Sequence, residues 1–385
     1  MGTGFTQGAV GGIVYTRSGS TWSQQAALRY TGQTRGLNFP SAGSAVGTSV
    51  AISADGNIIL LGGPGNDFRI GAVWVFTRSG STWTQQEVLK PSGYEQTCAP
   101  GNKVGSCPEA TVFARFGDSV AISGNANVVL IGGPEDEHNT GAAWVFKRSG
   151  GVYVQQGAKL TVSGGAAGAH FGAVVALSSN GQNALIAAPD AAGGIGAVWD
   201  FERAGHSFEQ VGGSLPNDDE TPDEFVFNRP PAPGSHFGRS LALSAEGETA
   251  VIGAAESAQI LRQRRTGWVK QASLTPGESV GAAEFGLSVA ISGDGETALV
   301  GGPEEDDRAG AAWAFTRSGR SWSQLGSKLL GGEEQSAGIF SGNKGGAFGK
   351  SVALARDGRT AVIGGPADDN NTGALWPFVR EHVHP

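Results

Sequence analysis

The sequence predicts an all-β fold, a β-propeller of six to seven four-stranded antiparallel blades. The first observation is a stretch that recurs six times along the 385 residues and reads FGDSVAISGNANVVLIGGP from Phe116. The second is a partner stretch that alternates with it and reads GAVWVFTRSGSTWTQQ from Gly71. The third is composition: glycine occurs 64 times and methionine once, which is typical of a chain rich in strands and turns.

Each copy of the first stretch predicts an inner β-hairpin. Its two apolar runs are nearly continuous, as expected for strands covered on both faces. The S-x-D-G or S-x-N-G segment between them indicates a tight turn. The copies begin near residues 47, 116, 171, 237, 285 and 348.

The second stretch predicts an outer hairpin. Trp74 and Phe76 are spaced for one face of a strand, polar residues occupy the other face, and an R-S-G turn follows. Each repeat therefore supplies four antiparallel strands. Strand-only repeats with a turn between every pair favour radially arranged blades over a sandwich, in a single domain of residues 1–385.

The two ends of the chain leave the number of blades open. Six inner strands are present, but residues 11–16 and 373–379 both fit strand three, which makes seven copies of that strand. Either a six-bladed ring closes with the N-terminal strands outside its last blade, or a seven-bladed ring lacks the start of its first blade. In both cases residues 11–27 complete the ring, which is closed by N- and C-terminal strands in the same blade and so has no exposed edges.

The repeated residues resemble those of a known family. Phe-Gly opens strand one, and Gly-Gly-Pro, or Ala-Ala-Pro at 187–189, closes strand two. This pattern is similar to the FG-GAP repeats of integrin α-chain propellers and of many secreted bacterial proteins, and it covers nearly all of the chain. The resemblance implies a propeller whose upper face binds other molecules, in an extracellular, secreted or cell-surface protein.

The integrin-like calcium loop is not reproduced in this chain. That family places D-x-D-x-D-G between strands one and two, whereas the turns here are short, such as SADG from Ser53 and SGDG from Ser292. Each carries one or two acids at most and is too short to surround a cation. The family's calcium site is therefore not expected at these turns.

Charge and hydropathy exclude several classes of partner. The net charge is −8 and the pI is about 5.3, so we expect no nucleic-acid partner. No run of eighteen apolar residues is present, so we expect no membrane insertion. The first residues lack the features of a secretory signal, which favours a trimmed end or a position inside a longer surface protein.

Two cysteines lie in one loop rich in Gly and Pro. Cys98 and Cys107 are separated by nine positions, and further metal ligands are missing nearby. A local disulfide in an oxidising compartment is the favoured interpretation, and two free thiols are the alternative.

The loops between strands two and three, together with the links from strand four to the next repeat, form what we call the upper face. Five of these loops keep a fixed length, at 64–71, 134–141, 189–196, 303–310 and 366–373, and they are rich in acids. The candidate ligand-binding residues are Asp67, Asp136, His170, Asp190, His236, Asp306 and Asp368.

The acids of these loops have two interpretations. Asp136, Asp306 and Asp368, with Asn139 and Asn371, could hold Ca²⁺ among oxygen ligands or contact a cationic partner. The alternative, which we favour, is that acids and Asn solvate the turns and satisfy local backbone N–H groups.

His170 and His236 each precede a Phe-Gly pair, a slot that Arg115 and Glu284 fill in other repeats. This spacing predicts structurally equivalent positions on the upper face. It favours that interpretation over a catalytic pair, and no G-x-S-x-G, H-E-x-x-H or P-loop motif is present.

Nine tryptophans occupy two repeat positions, with Trp74, Trp144, Trp199, Trp313 and Trp376 at one and Trp22, Trp83, Trp268 and Trp322 at the other. Packing between blades is the expected role, and stacking on sugars is the alternative. Three long insertions, 89–115, 212–236 and 329–347, are either binding loops or passive spacers.

These observations predict an extracellular or surface recognition and adhesion module. It binds a protein or glycan ligand through upper-face loops and is non-catalytic. One alternative is a propeller enzyme, either glycoside-active or a metal-assisted hydrolase, that uses upper-face carboxylates. Another is a structural module of a larger surface protein.

Overall fold

The structure is a computed structural model that describes residues 9–32, 44–94, 113–162, 168–205, 207–215, 234–332 and 345–380. It confirms the predicted fold class, because the chain is all-β and folds as the blades of a β-propeller. Cys98 and Cys107, with their predicted disulfide, lie outside the described residues.

The strands follow the predicted repeats in chain order. An N-terminal hairpin precedes the first repeat, and the six repeats supply the remaining strands. The hairpin is β1 (Val10–Ser18) and β2 (Thr21–Arg29); the repeats contain β3 (Ser49–Ile52), β4 (Ile58–Gly63), β5 (Ala72–Ser79), β6 (Thr82–Leu89); β7 (Ser119–Ile122), β8 (Val128–Gly133), β9 (Ala142–Ser149), β10 (Val152–Gln155); β11 (Val174–Leu177), β12 (Asn183–Ala188), β13 (Ala197–Ala204), β14 (Ser207–Ser214); β15 (Ser240–Leu243), β16 (Thr249–Ala254), β17 (Ser257–Arg264), β18 (Gly267–Leu274); β19 (Ser288–Ile291), β20 (Thr297–Gly302), β21 (Ala311–Ser318), β22 (Ser321–Gln324); and β23 (Ser351–Leu354), β24 (Thr360–Gly365), β25 (Ala374–Val379).

Neighbouring strands in each sheet are also neighbours in sequence, as the hairpin signals predict. The first five repeats each form a four-stranded sheet, and the sixth forms the three-stranded sheet β23-β24-β25. Within the described residues β1 pairs with β2 and β25 with β24. Closure of the ring by terminal strands in one blade therefore stays a prediction.

Five short helical turns join strand two to strand three. They are α1 (Asn66–Arg69), α2 (Asp136–Asn139), α3 (Ala191–Gly194), α4 (Glu305–Arg308) and α5 (Asp368–Asn371). In the described parts of the chain, no helix has the length and apolar character needed to span a membrane.

The chain divides into two compact units. Unit 1 contains Met1–Leu177 and Glu202–Gln210, and unit 2 contains Ser178–Phe201 and Val211–Pro385. The boundary falls within the third repeat, so the organisation of 1–385 as a single domain stays a prediction. Each unit is described by itself below.

The inner hairpins are built as their sequence predicts. All six residues of β4, β8 and β16 are buried, which explains why their apolar runs do not alternate. In the turn before β4, Ser53 Oγ accepts a hydrogen bond from Ile58 N at 3.0 Å and Gly56 supplies a positive φ of 66°. The same serine bond recurs at Ser123, Ser178, Ser244 and Ser292. The polar residues of these turns therefore build the turn itself.

Edge-to-face aromatic pairs lie in the core of the second, fifth and sixth repeats. Phe116 meets Trp144 edge-on with ring centroids 5.4 Å apart, and Phe285 meets Trp313 in the same way at 5.3 Å. Trp74, Trp144 and Trp313 are completely buried, and the indole N–H of each donates to a backbone carbonyl at 2.7–2.8 Å. Trp144 shares a buried cluster with Leu60 and Val73 of the preceding repeat. Trp313 does the same with Val251 and Ile260, and the two confirm the predicted packing between blades. Trp22, Trp83, Trp268 and Trp322 are half-buried, and their proposed stacking on sugars stays a prediction.

Candidate functional site

The five turns of the upper face share one closing hydrogen bond. We number their positions from the residue after the proline, or its equivalent, that ends strand two. The glycine that ends each turn donates its N–H to the carbonyl of the second residue at 2.8–3.0 Å. The pairs are Gly71 with Asn66, Gly141 with Asp136, Gly196 with Ala191, Gly310 with Glu305 and Gly373 with Asp368. One backbone design is thus used five times with different side chains.

The middle of each turn has a left-handed backbone. Glu137 and His138 have φ of 48° and 59°, and Asp306 and Asp307 have φ of 49° and 54°. A left-handed conformation costs a non-glycine residue roughly 1–2 kcal/mol. The third repeat has a glycine, Gly193, at the fourth position, whereas the others rely mainly on Asp, Asn and His, the non-glycine residues that adopt this region most readily. Residues other than glycine that hold this conformation indicate a constraint on the side chains displayed there.

The second residue of the turn points into the protein. Asn66, Asp136 and Glu305 are each 0 % exposed, although each lies in a surface loop. A buried carboxylate needs a charged or hydrogen-bonding partner. The structure supplies that partner from the segment that follows strand four, either of the same repeat or of the preceding one.

Glu305 is the second-position acid with the fullest set of partners. Lys328 Nζ lies 2.6 Å from its Oε1, and Ser279 Oγ and Val280 N donate to it at 2.8 Å. Burial opposes ionisation, but the bonds from Lys328, Ser279 and Val280 N outweigh it, so the pKa of Glu305 is lowered. Glu305 is therefore an ionised anchor that fixes its turn to the chain on either side.

Asp136 repeats this arrangement in unit 1. Its Oδ2 accepts a hydrogen bond from Lys159 Nζ, and the same ammonium group bonds Glu137. Burial disfavours the charged lysine, but the bonds to Asp136 and Glu137 outweigh it and raise the pKa of Lys159. The carboxylate of Asp136 is thus satisfied by the protein itself.

Residues that precede Phe-Gly meet the ends of the turns, as the upper-face assignment predicts. Arg115, His170 and His236 have φ of 51°, 57° and 46°. Their N–H groups donate to the fifth residue of the preceding turn, at Arg69, Asn139 and Gly194, over 2.8–2.9 Å. The predicted equivalence of the two histidine positions is therefore confirmed.

Unit 1 carries an ion-pair cluster between its first two turns. Arg69 Nη2 lies 2.7 Å from Glu135 Oε1, and Arg115 pairs with the same carboxylate at 3.3 Å and with Asp118 at 2.6 Å. The Arg69 guanidinium also lies 4.7 Å from the centre of the Phe113 ring. Burial raises the pKa of Asp118 despite the opposing effect of Arg115. These arginines were not among the sequence candidates, since their shared partner Glu135 is 66 residues from Arg69 and 20 from Arg115.

In unit 2, His236 Nδ1 lies 3.1 Å from Asp190 Oδ1 and 3.3 Å from the carbonyl oxygen of Pro189. The side chains of His236 and Asp190 are 44 % and 41 % exposed, so both reach solvent. Two of the predicted ligand-binding residues are thus brought together. A third candidate, Asp306, is exposed on a turn of the same unit. In unit 1, the Oδ2 atom of the candidate Asp67 lies 3.5 Å from Lys90 Nζ.

The three predicted calcium ligands do not all occupy the same position of their turns. Asp136 and Asp368 are second residues, whereas Asp306 is a third residue. The Oδ1 atom of Asp368 is buried and lacks a hydrogen-bond partner within the described ranges. Among the residues that the structure describes, no group of three or more His, Cys, Asp or Glu side chains is arranged to hold a metal ion. Calcium binding stays a prediction.

A comparison with known families agrees with the repeat pattern. The family model described as FG-GAP repeat matches residues 268–315, which run from β18 to β21 in unit 2. No curated protein has a significant sequence match to the chain.

Proposed function

We propose, from the premise that the chain is an FG-GAP-repeat β-propeller, that it is a non-catalytic recognition module which binds a protein or glycan ligand through its upper-face turns. FG-GAP repeats are typical of extracellular proteins, and the fold is consistent with a surface or structural module. The proposal places the protein outside the cell or on its surface, alone or within a longer chain.

The contrast within each turn carries this proposal. The closing hydrogen bond is the same in all five turns, while the third to fifth residues differ from one turn to the next. Their exposed members are His138 and Asn139, Ala192 and Gly193, Asp306 to Arg308, and Asp369 and Asn371. A shared frame that displays different residues is suited to recognition, because the frame fixes the geometry and the side chains set the specificity.

The displayed groups define the chemistry of the ligand. Asp306, Asp307 and Asp369 offer carboxylates, and Asn139 and Asn371 offer amides. Such groups accept hydrogen bonds from hydroxyl groups and attract cations. The ligand is therefore a hydroxyl-rich glycan or a basic segment of a protein.

Array binding tests this proposal. The fluorescently labelled chain is incubated with arrayed glycans and with arrayed peptides of graded positive charge, at physiological salt. We expect a subset of spots to retain the protein. The double variant Asp306→Asn with Asp307→Asn should bind the retained spots about tenfold more weakly, because it removes two displayed charges.

A matched control separates these two residues from net charge. Glu246→Gln with Glu248→Gln removes the same charge from two exposed residues in the turn between strands one and two of the fourth repeat, which is in unit 2. This variant should bind like the unaltered chain. Retention on no spot, or equal weakening by the two double variants, would refute the proposal.

Catalysis is the second candidate, because His236 and Asp190 form an exposed pair at 3.1 Å. A histidine held by a carboxylate can act as a general base. The retained glycans and peptides are therefore analysed by mass spectrometry after prolonged incubation. Cleavage that is lost in His236→Ala would replace the recognition proposal with an enzyme, and retention without cleavage supports recognition.

A further inference from the structure

A basic cleft lies between the outer hairpins of the fourth and fifth repeats, both of which belong to unit 2. It has a volume of about 340 Å³ and opens to solvent. Its lining consists of Arg262, Arg264, Val269, Lys270, Gln271 and Arg320. Four of these six residues are cations, in a chain whose net charge is −8. The cleft therefore concentrates positive charge on an acidic protein.

Strand geometry places the cations of the fourth repeat on one side of its outer hairpin. Arg262 and Arg264 are two positions apart in β17, so their side chains project from the same face. Val269 of β18 pairs with Arg262 across the strands and lies on that face. The register of the two strands shifts after Lys270, which leaves Gln271 as an extra residue in β18. Lys270 and Gln271, which border this bulge, complete the lining on β18.

Gln271 holds the outer hairpin of the fifth repeat against this face. Its Nε2 atom donates a hydrogen bond to the backbone carbonyl of Arg320 at 3.3 Å, and its Oε1 atom accepts one from Trp322 Nε1 at 3.4 Å. Arg320 lies in the turn between β21 and β22. The bridge through Gln271 therefore positions Arg320 beside the three cations of the fourth repeat.

The outer hairpins of the first and second repeats are joined by the same bridge. Gln86 Nε2 donates to the backbone carbonyl of Gly151, as Gln271 Nε2 does to that of Arg320. Gln86 also lies at the position where the register of its two strands shifts. The two pairs of outer hairpins are thus built in the same way.

Neutral residues replace the four cations in the first two repeats. The strand registers align Arg262 with Thr77 and Lys270 with Gln85, because each pair of residues has equivalent partners across the strands. The positions of Arg262, Arg264, Lys270 and Arg320 are occupied there by Thr77, Ser79, Gln85 and Gly151. Neighbouring outer hairpins therefore pack together without any of the four cations, and packing does not account for their presence in unit 2.

The arginines of the cleft are not consumed by strong ion pairs within the described residues. Arg262 Nη2 lies 3.7 Å from Glu248 Oε2, and the side chain of Glu248 is 64 % exposed, so this pair is weak. Arg264 and Arg320 are exposed, and neither forms an ion pair with another described residue. Arg317 of the same β21–β22 hairpin is, by contrast, paired with Glu296. The positive charge of the cleft is therefore available to an anion from solution.

We propose that this cleft binds an anionic glycan through sulfate or carboxylate groups on successive sugar units. Guanidinium groups form paired hydrogen bonds with both kinds of anion. Cations that are spread over β17, β18 and the neighbouring turn suit charges that repeat along a chain better than they suit one small ion. Val269, which is 46 % exposed, offers an apolar surface to a sugar ring between the charged groups.

This cleft is a second site, separate from the upper face of the proposed function. In an antiparallel blade, the turn between strands three and four lies at the opposite end from the turn between strands two and three. Arg264 and Arg320 lie at or next to turns between strands three and four. The two sites also differ in charge, because the upper-face turns display acids whereas the cleft displays cations.

Fluorescence anisotropy of labelled oligosaccharides of equal length tests this site. One is a sulfated dextran oligosaccharide, another is an oligogalacturonate, which carries carboxylates, and the third is the unmodified dextran oligosaccharide. We expect the full chain to bind at least one of the two anionic oligosaccharides saturably, and to bind the unmodified dextran at least about tenfold more weakly. The binding should weaken as the salt concentration is raised, because exposed charges are screened. A labelled glutamate peptide of equal charge represents an acidic protein segment.

Arg264→Gln with Arg320→Gln should weaken this binding at least about tenfold, because it removes two of the four cations. The bridge from Gln271 is kept, since it uses the backbone carbonyl of Arg320. Arg356→Gln with Arg380→Gln is the matched control, because it removes the same charge from two exposed arginines of the sixth repeat. The control should bind like the unaltered chain, and both variants should keep its melting temperature.

A further variant separates this site from the upper face. Asp306→Asn with Asp307→Asn removes displayed acids at the other end of the fifth blade and should not weaken binding of the anionic oligosaccharides. Failure of the upper-face proposal and failure of this one are therefore distinguishable.

Three results would overturn the assignment of an anionic glycan to this cleft. One is that neither anionic oligosaccharide binds. Another is that the two arginine double variants weaken binding equally, since the location of the charge would then be irrelevant. The last is that the glutamate peptide binds as tightly as the better of the two oligosaccharides, because the cleft would then accept acidic protein segments.

Discussion

In the turn of the fifth repeat, Glu305 is completely buried, whereas its neighbour Asp306 is exposed. Both are acids in the same surface loop, yet Glu305 accepts three hydrogen bonds from the protein and Asp306 faces solvent. The turn of the second repeat shows a similar contrast between buried Asp136 and exposed His138. Position within the turn therefore decides whether a side chain builds the turn or is displayed by it.

This difference divides the acids that the sequence marks as candidates. A second-position acid that is buried and paired with a lysine is not available to a ligand, so Asp136 stabilises the structure. A third-position acid such as Asp306 has an exposed side chain and is available to a partner. The two functions proposed for these acids, turn stabilisation and ligand contact, thus apply to adjacent residues of the same loop.

The largest effect is expected for Asp136→Ala. Removal of the buried partner leaves the Lys159 ammonium paired with Glu137, whose side chain is 45 % exposed, and should cost about 3 kcal/mol in the free energy of unfolding. Denaturant titration followed by tryptophan fluorescence measures this loss. The double variant Asp136→Asn with Lys159→Met removes both charges and places at this position the residue that Asn66 provides in the first repeat. It should lose less than the single variant.

Asp306→Ala is the comparison that could break this distinction. An exposed side chain without a buried partner should change the free energy of unfolding by no more than about 1 kcal/mol, because Ala192 adopts the same left-handed backbone at the equivalent position of the third repeat. If Asp306→Ala cost as much as Asp136→Ala, position within the turn would not separate the two roles.

A smaller effect is expected from the titration of Glu305. Its pKa in the folded protein lies below the ordinary value of 4.5, because the bonds from Lys328, Ser279 and Val280 outweigh burial. The stability that these bonds contribute is fully present above the unfolded pKa and is lost as the pH falls through the folded pKa. Melting temperatures between pH 7 and pH 3 should show Glu305→Gln destabilised at neutral pH and converging on the unaltered chain below pH 4.5.

Lys328→Met provides the control for this titration, because it removes the ammonium that favours the ionised carboxyl group. We expect the acid-dependent loss of stability to become smaller in this variant. A constant difference between Glu305→Gln and the unaltered chain from pH 7 to pH 3 would show that Glu305 stabilises the fold by packing alone.

The fold could be predicted from the sequence because its determinants are local and repeated. The serine turn at Ser53 and the buried run of β4 lie within one stretch, which recurs six times along the chain and keeps the serine in five of the copies. The roles of the acids depend on contacts across the chain. Asp136 and Lys159 are 23 residues apart, as are Glu305 and Lys328, and this spacing was the signal that could have identified the anchors. The left-handed backbone has a weak residue signal at His138 and Asn139, since histidine and asparagine adopt it more often than most residues, but it has none at Glu137.

The smallest effect is expected at the fourth position of the turns. Asp307 has φ of 54°, and its equivalent in the third repeat is Gly193 with φ of 72°. In Asp307→Gly, relief of the left-handed strain and the larger chain entropy of unfolded glycine oppose each other, so the net change should be within about 1 kcal/mol. Asp307→Val should be clearly less stable than Asp307→Gly, because a β-branched residue is disfavoured at positive φ. Equal melting temperatures for these two variants would mean that the turn relaxes, and that the displayed side chains are not maintained by a fixed frame.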